Sequence, residues 1–265
     1  MNILAEIINT KHIEVARLKS EYNWIDLKEL AKKASPPRDF LDSLRRPGIR
    51  VIAEIKQASP SAGILRSPFD PDAIAKTYQE NGAACLSVLT DSTYFHGTLS
   101  HLALVRNTVS LPLLRKDFII DAFQVLESRA FGADAILLIA EILNFDQLQN
   151  LHKLSSELGM ATLIELHSPE SVPTVKALKA PLVGINNRDL RTFKTCLKQT
   201  LNLANSFPPE TVIVSESGIG TPSDVNILLN GGVKTFLIGE SLLRAPDPGK
   251  QLAWLLGTNL ESTSR

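Results

Sequence analysis

Short apolar runs alternate with amphipathic stretches along the chain from residue 49 onward. Eight runs occur, at 51–55, 84–89, 111–114, 135–140, 161–166, 182–185, 211–214 and 235–238. Nearly continuous apolar runs are typical of parallel strands that are covered on both faces, and the stretches between them have helical spacing. The alternation predicts an α/β fold, a (β/α)8 TIM barrel. A doubly wound open sheet is the alternative, but it rarely needs eight units, and no GxGxxG motif follows the first run.

The residues before the first run form a helical extension in this interpretation. Apolar residues recur there at helical spacing, at Ile3, Leu4, Ile7, Ile8, Val15 and Leu18. Further helical patterns lie near 27–33 and 40–45. We predict one domain over residues 1–265, with a helical extension at 1–47, the barrel at 48–256 and a polar tail at 257–265. The extension is expected to cover the top of the barrel, so that deletion of residues 1–45 raises KM more than it lowers stability.

Composition narrows the function classes. The 28 lysines and arginines balance the 28 aspartates and glutamates, so bulk electrostatics predict neither a nucleic-acid partner nor a membrane surface. The two cysteines, Cys85 and Cys196, form no disulfide framework, which favours a reducing cytoplasm. We expect no signal peptide, because the N-terminus lacks a cleavage-site pattern, and no membrane span, because no apolar run approaches 18 residues.

Charged residues follow several of the apolar runs at the point where a strand would end. Glu54 and Lys56 are two positions apart, so their side chains point to the same side of a strand. Lys116 and Glu165 likewise lie at the ends of apolar runs. Because barrel enzymes build their active sites at the carboxyl ends of the strands, these positions predict chemistry. Three neighbouring charged residues are instead expected to be solvated loop residues: Arg115, Asp117 and Asp189.

Two glycine-containing turns predict a phosphate site. The segments "SESGIGTPSD" and "LIGESLL" each run from a strand into a helix start, where backbone N–H groups bind anions. Ser59 or Ser61 is a candidate for an additional hydroxyl. The alternative is that the glycines only permit tight turns.

The strand ends, taken in order, resemble those of the indole-3-glycerol-phosphate synthase family. The motifs that carry the resemblance are "IAEIKQASPS", "LSVLTD", "PLLRKDFIID", "GADAILLIA", "LIELH", "LVGINNRDL", "VSESGI" and "LIGESL". The resemblance spans about residues 49–243, and the long N-terminal extension also matches. It implies a carboxy-lyase of tryptophan biosynthesis that needs no metal or organic cofactor. The implied reaction converts 1-(2-carboxyphenylamino)-1-deoxyribulose 5-phosphate into indole-3-glycerol phosphate, carbon dioxide and water.

The resemblance also implies roles for individual residues. Lys116 matches the general acid, Glu165 and Glu54 match the acidic pair that moves protons, Lys56 matches the lysine near the substrate carboxylate, and Asn186 matches an orienting amide. The implied substrate-binding residues are Arg188, Glu216, Ser217, Phe118 and Leu190, with Phe95 as a further apolar wall. The implied phosphate-binding residues are Ser59, Gly218, Gly239, Glu240 and Ser241. Strand alternation means that Glu216 and Ser217 cannot both point straight inward.

Several alternatives stay open at this point. A Schiff-base aldolase would use Lys116 or Lys56 as nucleophile, although Asp117 and Glu54 are expected to pair with these lysines. The isomerase that precedes this step shares the fold but uses a Cys/Asp pair, and no cysteine here follows a strand suitably. A non-enzymatic sugar-phosphate binding module is the third alternative. His167 is a surface residue or a side chain that enters the site, and the other histidines are expected at the surface or in caps.

The expected partner is a phosphorylated small molecule. No His/Asp/Glu cluster has convincing metal spacing, so no metal site is predicted. A monomer is expected, and transient association with other enzymes of the tryptophan pathway is open.

Overall fold

Eight parallel strands close into a barrel in the computed structural model, which describes residues 3–189 and 192–258. The strands are β1 (Arg50–Ile55), β2 (Cys85–Leu89), β3 (Leu113–Lys116), β4 (Ala135–Ile139), β5 (Ala161–Leu166), β6 (Leu182–Asn186), β7 (Val212–Glu216) and β8 (Thr235–Ile238). Each strand pairs with the next, and β8 closes on β1, with Arg50 opposite Thr235. The predicted (β/α)8 barrel is therefore confirmed, and the open sheet is wrong.

Strands β3, β6 and β7 extend into polar residues beyond the apolar runs that predicted them. The third run was expected at 111–114, but β3 covers Leu113–Lys116. Pro112 has no N–H to donate to a ladder, and Arg115 and Lys116 pair in register with Val88 and Leu89 of β2. Backbone pairing, and not side-chain polarity, decides where a strand ends. Lys116 is therefore part of β3, and the strand fixes the direction in which its side chain points.

Helices cover the outside of the barrel. They are α4 (Pro71–Glu80), α5 (Leu99–Thr108), α6 (Ala122–Ala130), α7 (Phe145–Glu157), α8 (Val172–Leu178), α9 (Lys198–Ala204), α10 (Pro222–Asn230), α11 (Glu240–Arg244) and α12 (Pro248–Leu256). Local chemistry defines their starts, because Asp121, Asn144 and Thr221 each form a capping box with the residue three positions on. Gly132 and Gly159 follow helices with φ values of 92° and 75°, which favour glycine.

The apolar residues divide into an outer and an inner core, as strand alternation requires. Val51, Ala53 and Ile55 of β1 pack outward in the layer between strands and helices. Ile52 points inward, where it packs with residues such as Leu114 and Val214. This confirms the prediction that Glu54, two residues after Ile52, lies on the inner side of β1.

The N-terminal extension consists of three helices that serve different parts of the barrel. They are α1 (Ile3–Glu21), α2 (Trp24–Lys33) and α3 (Phe40–Arg45). The α2 helix packs against α6, where the rings of Trp24 and Phe123 meet edge to face at 5.2 Å. Phe40 and Leu44 of α3 belong to the inner core, beside the strand starts. The expectation that the whole extension covers the top of the barrel is therefore wrong, because α3 closes the opposite end.

Two remaining features position or bound the site. A two-stranded antiparallel ladder of Ala58–Ser59 and Gly63–Ile64 lies in the loop between β1 and α4, which we call the βα1 loop because it follows the first barrel strand. Within residues 3–189 and 192–258, no helix combines the length and apolar character that a membrane crossing requires. Most of the predicted polar tail lies outside the described residues, which end at 258.

Candidate active site

A pocket of about 550 Å³ opens at the carboxyl ends of the strands. It is lined by every candidate site residue that the structure describes: Glu54, Lys56, Ser59, Lys116, Phe118, Glu165, Asn186, Arg188, Glu216, Ser217, Gly218, Gly239, Glu240 and Ser241. Leu190, the remaining candidate, lies outside the described residues. The pocket thus brings together positions that are far apart in the sequence.

Glu54 and Lys56 form an ion pair at the end of β1. The Lys56 Nζ lies 2.5 Å from the Glu54 Oε1, and both side chains are largely shielded from water. Gly239 at the end of β8 passes so close to the Glu54 carboxylate that a Cβ atom there would collide with it. A glycine at position 239 is therefore required by this packing, whether or not its N–H group also binds an anion.

Lys116 occupies the centre of the pocket floor between two carboxylates. Its Nζ donates hydrogen bonds to Glu165 Oε2 at 2.8 Å and to Glu216 Oε2 at 2.9 Å. Burial alone would lower the pKa of Lys116, but the charges of Glu165, Glu216 and Glu54 outweigh it and hold the pKa above its ordinary value. Lys116 is therefore kept as an ammonium ion, the form that can donate a proton.

The two carboxylates beside Lys116 differ in their affinity for a proton. Burial would raise the pKa of Glu165, but the positive charges of Lys116 and His167 lower it to about 2. Burial and the neighbouring charge of Glu165 raise the pKa of Glu216 well above its ordinary value. A shared pair of this kind separates into one ionised and one proton-binding group, and Glu165 is the ionised member.

Asn186 and Arg188 connect the floor of the pocket to its rim. The Asn186 side-chain amide donates to Glu165 Oε1 at 3.3 Å, and its Oδ1 accepts from the backbone N–H of Arg188 at 3.0 Å. The Arg188 guanidinium donates to Glu240 at 3.0 Å. Arg188 thus pairs with Glu240 at the rim of the pocket.

The predicted phosphate residues surround the rim on the side of β7 and β8. Ser217 and Gly218 have φ values of 68° and 79°, so the chain turns sharply after β7. Ser59 and Ser61 face the same space from the βα1 loop. The Ser241 hydroxyl donates to the Ile219 carbonyl at 2.8 Å, which joins the β7 and β8 loops.

The opposite wall of the pocket is apolar. Phe95 and Phe118 lie with their ring centroids 6.1 Å apart. Ile3, Leu4 and Ile7 of α1 also line the pocket. The sequence pattern marked these α1 residues only as one face of a helix, because nothing local indicates which surface that face meets.

His167 enters the site, so its interpretation as a surface residue is wrong. Its Nε2 lies 3.1 Å from Glu165 Oε1, and its Nδ1 lies 3.3 Å from Glu141 Oε2. Burial opposes the charged imidazolium, but the hydrogen bond to Glu141 and the two carboxylate charges raise the pKa of His167 above its ordinary value. His167 lies two positions after Glu165, and residues two apart on a strand point to the same side, so the sequence did indicate that His167 could enter the pocket.

Arg115 and Asp117 are buried, which corrects the expectation that they are solvated loop residues. Their side chains are 4 % and 3 % exposed, and they pair at 3.1 Å. Asp117 also lies 2.9 Å from the Nζ of Lys11 on α1. Since Lys116 pairs with Glu165 and Glu216, Asp117 is not its partner, contrary to the expectation. Even-numbered and odd-numbered residues of β3 point to opposite faces, which separates Lys116 from this second network.

Among residues 3–189 and 192–258, no group of three or more His, Cys, Asp or Glu side chains is arranged to hold a metal ion. Cys85 is buried in the inner core and Cys196 is exposed, and both are free thiols.

Comparison with known proteins identifies relatives that match nearly the whole chain. The family model described as indole-3-glycerol phosphate synthase matches residues 4–255. An indole-3-glycerol phosphate synthase from Rhodopirellula baltica is 50% identical over 248 residues, covering 93% of this chain and 96% of that protein. One from Neisseria meningitidis is 49% identical over 250 residues, with the same coverage. The solved structure of 3-hexulose-6-phosphate synthase from Salmonella typhimurium superposes with a TM-score of 0.65 at 11% identity, over 79% of this chain and 98% of that one, which shows the fold alone.

Proposed function

Because the chain belongs to the indole-3-glycerol phosphate synthase family, we propose that its pocket closes the indole ring with Lys116 as the general acid. The enzyme is a carboxy-lyase that converts 1-(2-carboxyphenylamino)-1-deoxyribulose 5-phosphate into indole-3-glycerol phosphate, carbon dioxide and water. One observation supports this assignment of roles: the ammonium of Lys116 is held between Glu165 and Glu216 in a pocket with one charged and one apolar wall.

The substrate has three parts, and the pocket offers a complementary surface for each. The phosphate binds at the rim, to Ser59 and to the turns around Gly218 and Gly239–Ser241. The aromatic ring binds against Phe118 and Phe95, and Leu190 is proposed to extend this wall.

The substrate carboxylate lies near Lys56 in this arrangement. The Lys56 ammonium offsets part of the carboxylate charge in a site from which water is partly excluded. Glu54 holds Lys56 in place through their ion pair, and Ser217 contacts the substrate from the turn after β7.

Ring closure requires an aromatic carbon to attack the sugar carbonyl. Negative charge develops on the carbonyl oxygen, and Lys116 stabilises it and donates a proton. The raised pKa of Lys116 in the free enzyme ensures that the donor is protonated before substrate binds. Glu165, which is ionised, stabilises the ammonium and accepts protons in later steps.

Loss of carbon dioxide and of water completes the reaction. The electron pair of the breaking carbon–carbon bond returns to the ring as carbon dioxide leaves. The new hydroxyl then leaves as water after it gains a proton, and the carbon next to the ring nitrogen gives up a proton. Glu54, Lys56 and Glu165 are the groups placed to exchange these protons, with Asn186 orienting Glu165.

A Schiff-base mechanism is the second candidate function for the same pocket. Each lysine lies in close contact with a carboxylate that favours its charged form, whereas a Schiff-base lysine must lose its proton. Borohydride in the presence of a carbonyl substrate tests this directly, and we expect no covalent adduct.

A cytoplasmic monomer is proposed for the enzyme in the cell. The free thiols of Cys85 and Cys196 support a reducing compartment. Mass measurement in solution tests the monomer. Transient association with other enzymes of the tryptophan pathway is a prediction that co-purification at physiological concentration tests.

An indole-fluorescence assay with the carboxyphenylamino-deoxyribulose phosphate substrate tests the proposal. The wild-type protein should form product with a metal chelator present, since the mechanism uses only side chains. Lys116→Ala should lower kcat by about 10²–10⁴, the usual contribution of a general acid, while substrate binding changes little. Lys153→Ala, at an exposed position on α7, is the matched control. Turnover of Lys116→Ala with only a change in KM would show that the catalytic role is wrong.

A further inference from the structure

His167 connects the buried floor of the pocket with the solvent through Glu141. The Glu165 side chain is 4 % exposed and the His167 side chain 9 % exposed, whereas the Glu141 side chain is 21 % exposed. The two ring nitrogens of His167 lie 3.1 Å from Glu165 and 3.3 Å from Glu141. Three titratable groups thus stand in a row from the pocket floor to the surface.

Glu141 is held so that one oxygen faces the imidazole. Its Oε1 accepts hydrogen bonds from the backbone N–H of His167 at 2.8 Å and from the Ser171 hydroxyl at 2.7 Å. Its Oε2 is the atom that faces His167 Nδ1. The backbone of His167 is fixed in turn, because Gln199 donates to the His167 carbonyl at 2.6 Å. Glu141 and His167 are thus held in fixed positions relative to each other, although neither of them contacts Lys116 directly.

The proposed reaction consumes one proton from solvent in each turnover. The carbonyl oxygen gains one proton during ring closure, and the hydroxyl gains a second before it leaves as water. The carbon next to the ring nitrogen returns one proton. The substrate carboxylate leaves as neutral carbon dioxide, and its charge is cancelled by the one proton that remains to be supplied. The phosphate takes no part in this balance.

With substrate filling the mouth of the pocket, that proton needs a route through the protein. We propose that Glu141 and His167 form a proton relay that supplies Glu165, and through it Lys116, from the solvent. The inference rests on the proposed function, because a relay is needed only if the enzyme catalyses a reaction that consumes a proton in each turnover. A proton enters at Glu141 and crosses to Nδ1, the imidazolium releases the proton on Nε2 to Glu165, and the ring returns to its first tautomer by rotation or exchange. Glu165 receives this proton on Oε1 and, after its carboxyl group rotates, passes it to Lys116, whose Nζ lies 2.8 Å from the Oε2 position.

The charges around the relay are consistent with this direction of transfer. Lys116 is the positive group that faces His167, and Glu141 and Glu165 are the negative ones. Glu216 contacts the far end of the relay, through Glu165 and Lys116. A histidine between two carboxylates can hold a proton at both nitrogens and release either one.

The test compares His167→Asn, Glu141→Gln and the control His152→Asn on α7, which lies outside the pocket. We expect kcat of His167→Asn to fall about tenfold or more at alkaline pH, where solvent protons are scarce, with KM nearly unchanged. In wild type, kcat should be flat over the same range. Added imidazole should restore part of kcat in His167→Ala, and Glu141→Gln should show the same pH dependence in a milder form.

A second measurement does not depend on turnover. NMR titration of the His167 ring, assigned with His167→Asn, should give a lower pKa in Glu141→Gln than in wild type. The relay is overturned if His167→Asn keeps the wild-type pH profile, if imidazole restores nothing, or if Glu141→Gln leaves the titration of His167 unchanged. A wild-type protein that forms no product would overturn the proposed function itself, which distinguishes the two failures.

Discussion

The ammonium nitrogen of Lys11 lies 2.7 Å from a carboxylate oxygen of Asp91, and both side chains are completely shielded from solvent. Lys11 belongs to α1, whereas Asp91 follows β2 in the barrel. Lys11 also lies 2.9 Å from Asp117, the residue after Lys116. Burial alone would lower the pKa of Lys11, but Asp117 and Asp91 raise it above its ordinary value. A buried ion cluster therefore fastens α1 to the end of the barrel where the pocket opens.

Lys11→Met should destabilise the protein and weaken substrate binding together. Removing one partner of a buried ion pair lowers the free energy of unfolding by about 3–5 kcal/mol, because the carboxylates of Asp91 and Asp117 stay buried without it. KM should rise because Ile7 and its neighbours on α1 form a wall of the pocket. Denaturant unfolding and steady-state kinetics measure the two effects.

Lys19→Met is the matched control for the same helix. Lys19 pairs with Asp121 at 2.6 Å, but its side chain is 43 % exposed, so its loss should change the unfolding free energy by less than about 1 kcal/mol. Equal effects of the two substitutions would contradict the anchoring role of Lys11.

Phe40→Ala should destabilise the protein without affecting catalysis. Phe40 is 1 % exposed in the inner core at the end of the barrel opposite the pocket, and its truncation should lower the free energy of unfolding by about 3–5 kcal/mol. At a temperature where the variant is folded, KM should equal that of wild type. A raised KM would show that α3 also shapes the site. Deletion of residues 1–45 would remove both Phe40 and Lys11. It therefore cannot separate an effect of the extension on substrate binding from an effect on the stability of the fold.

Glu165→Gln and Glu216→Gln should differ in activity although both side chains contact Lys116. Glu165 is ionised because its pKa is lowered to about 2, so glutamine removes a charge and a proton acceptor, and kcat should fall by about 10²–10⁴. The raised pKa of Glu216 means that glutamine resembles its protonated form, and kcat should fall by less than about tenfold. Melting temperatures control for folding. Equal losses, or a larger loss in Glu216→Gln, would reverse the assignment of the two carboxyls.

Asp117→Asn should remove part of the acid sensitivity of the fold. Burial would raise the pKa of Asp117, but Arg115 and Lys11 lower it from its ordinary value of 3.8 to about 2. A carboxyl with a lowered pKa stabilises the folded state above its unfolded-state pKa and loses this contribution as the pH falls. The contribution is about 2 kcal/mol near neutral pH, and it disappears between about pH 4 and 2.

Urea unfolding from pH 7 to pH 2 measures this effect. The Asp117→Asn protein should be less stable than wild type at pH 7 and show a flatter decline below pH 4. Asp146→Asn, at an exposed position on α7, should follow the wild-type curve. A decline in Asp117→Asn as steep as in wild type would contradict the proposed cause.

The sequence by itself determined the barrel and the charged residues that line the pocket at the strand ends. Eight apolar runs can bury both faces only in a covered parallel sheet, and the carboxyl ends of such strands meet at one edge. Glu54, Lys116 and Glu165 were therefore identified without coordinates, because each interrupts or closely follows an apolar run in a place where a charge needs a function or a partner. The alternation of β1 was also sufficient to place Ile52 and Glu54 on one face.

Apart from the pair of Glu54 and Lys56, which two-residue spacing on one strand predicted, only the tertiary structure decided which charges pair. Asp117 is adjacent to Lys116 in sequence, yet it pairs with Lys11, which lies more than a hundred positions away. Local spacing marked Arg115 and Asp117 as ordinary loop residues, and the fold buries both of them. Ion pairing depends on distances of a few ångströms between side chains from different elements, and those distances exist only after α1, β2 and β3 have packed together.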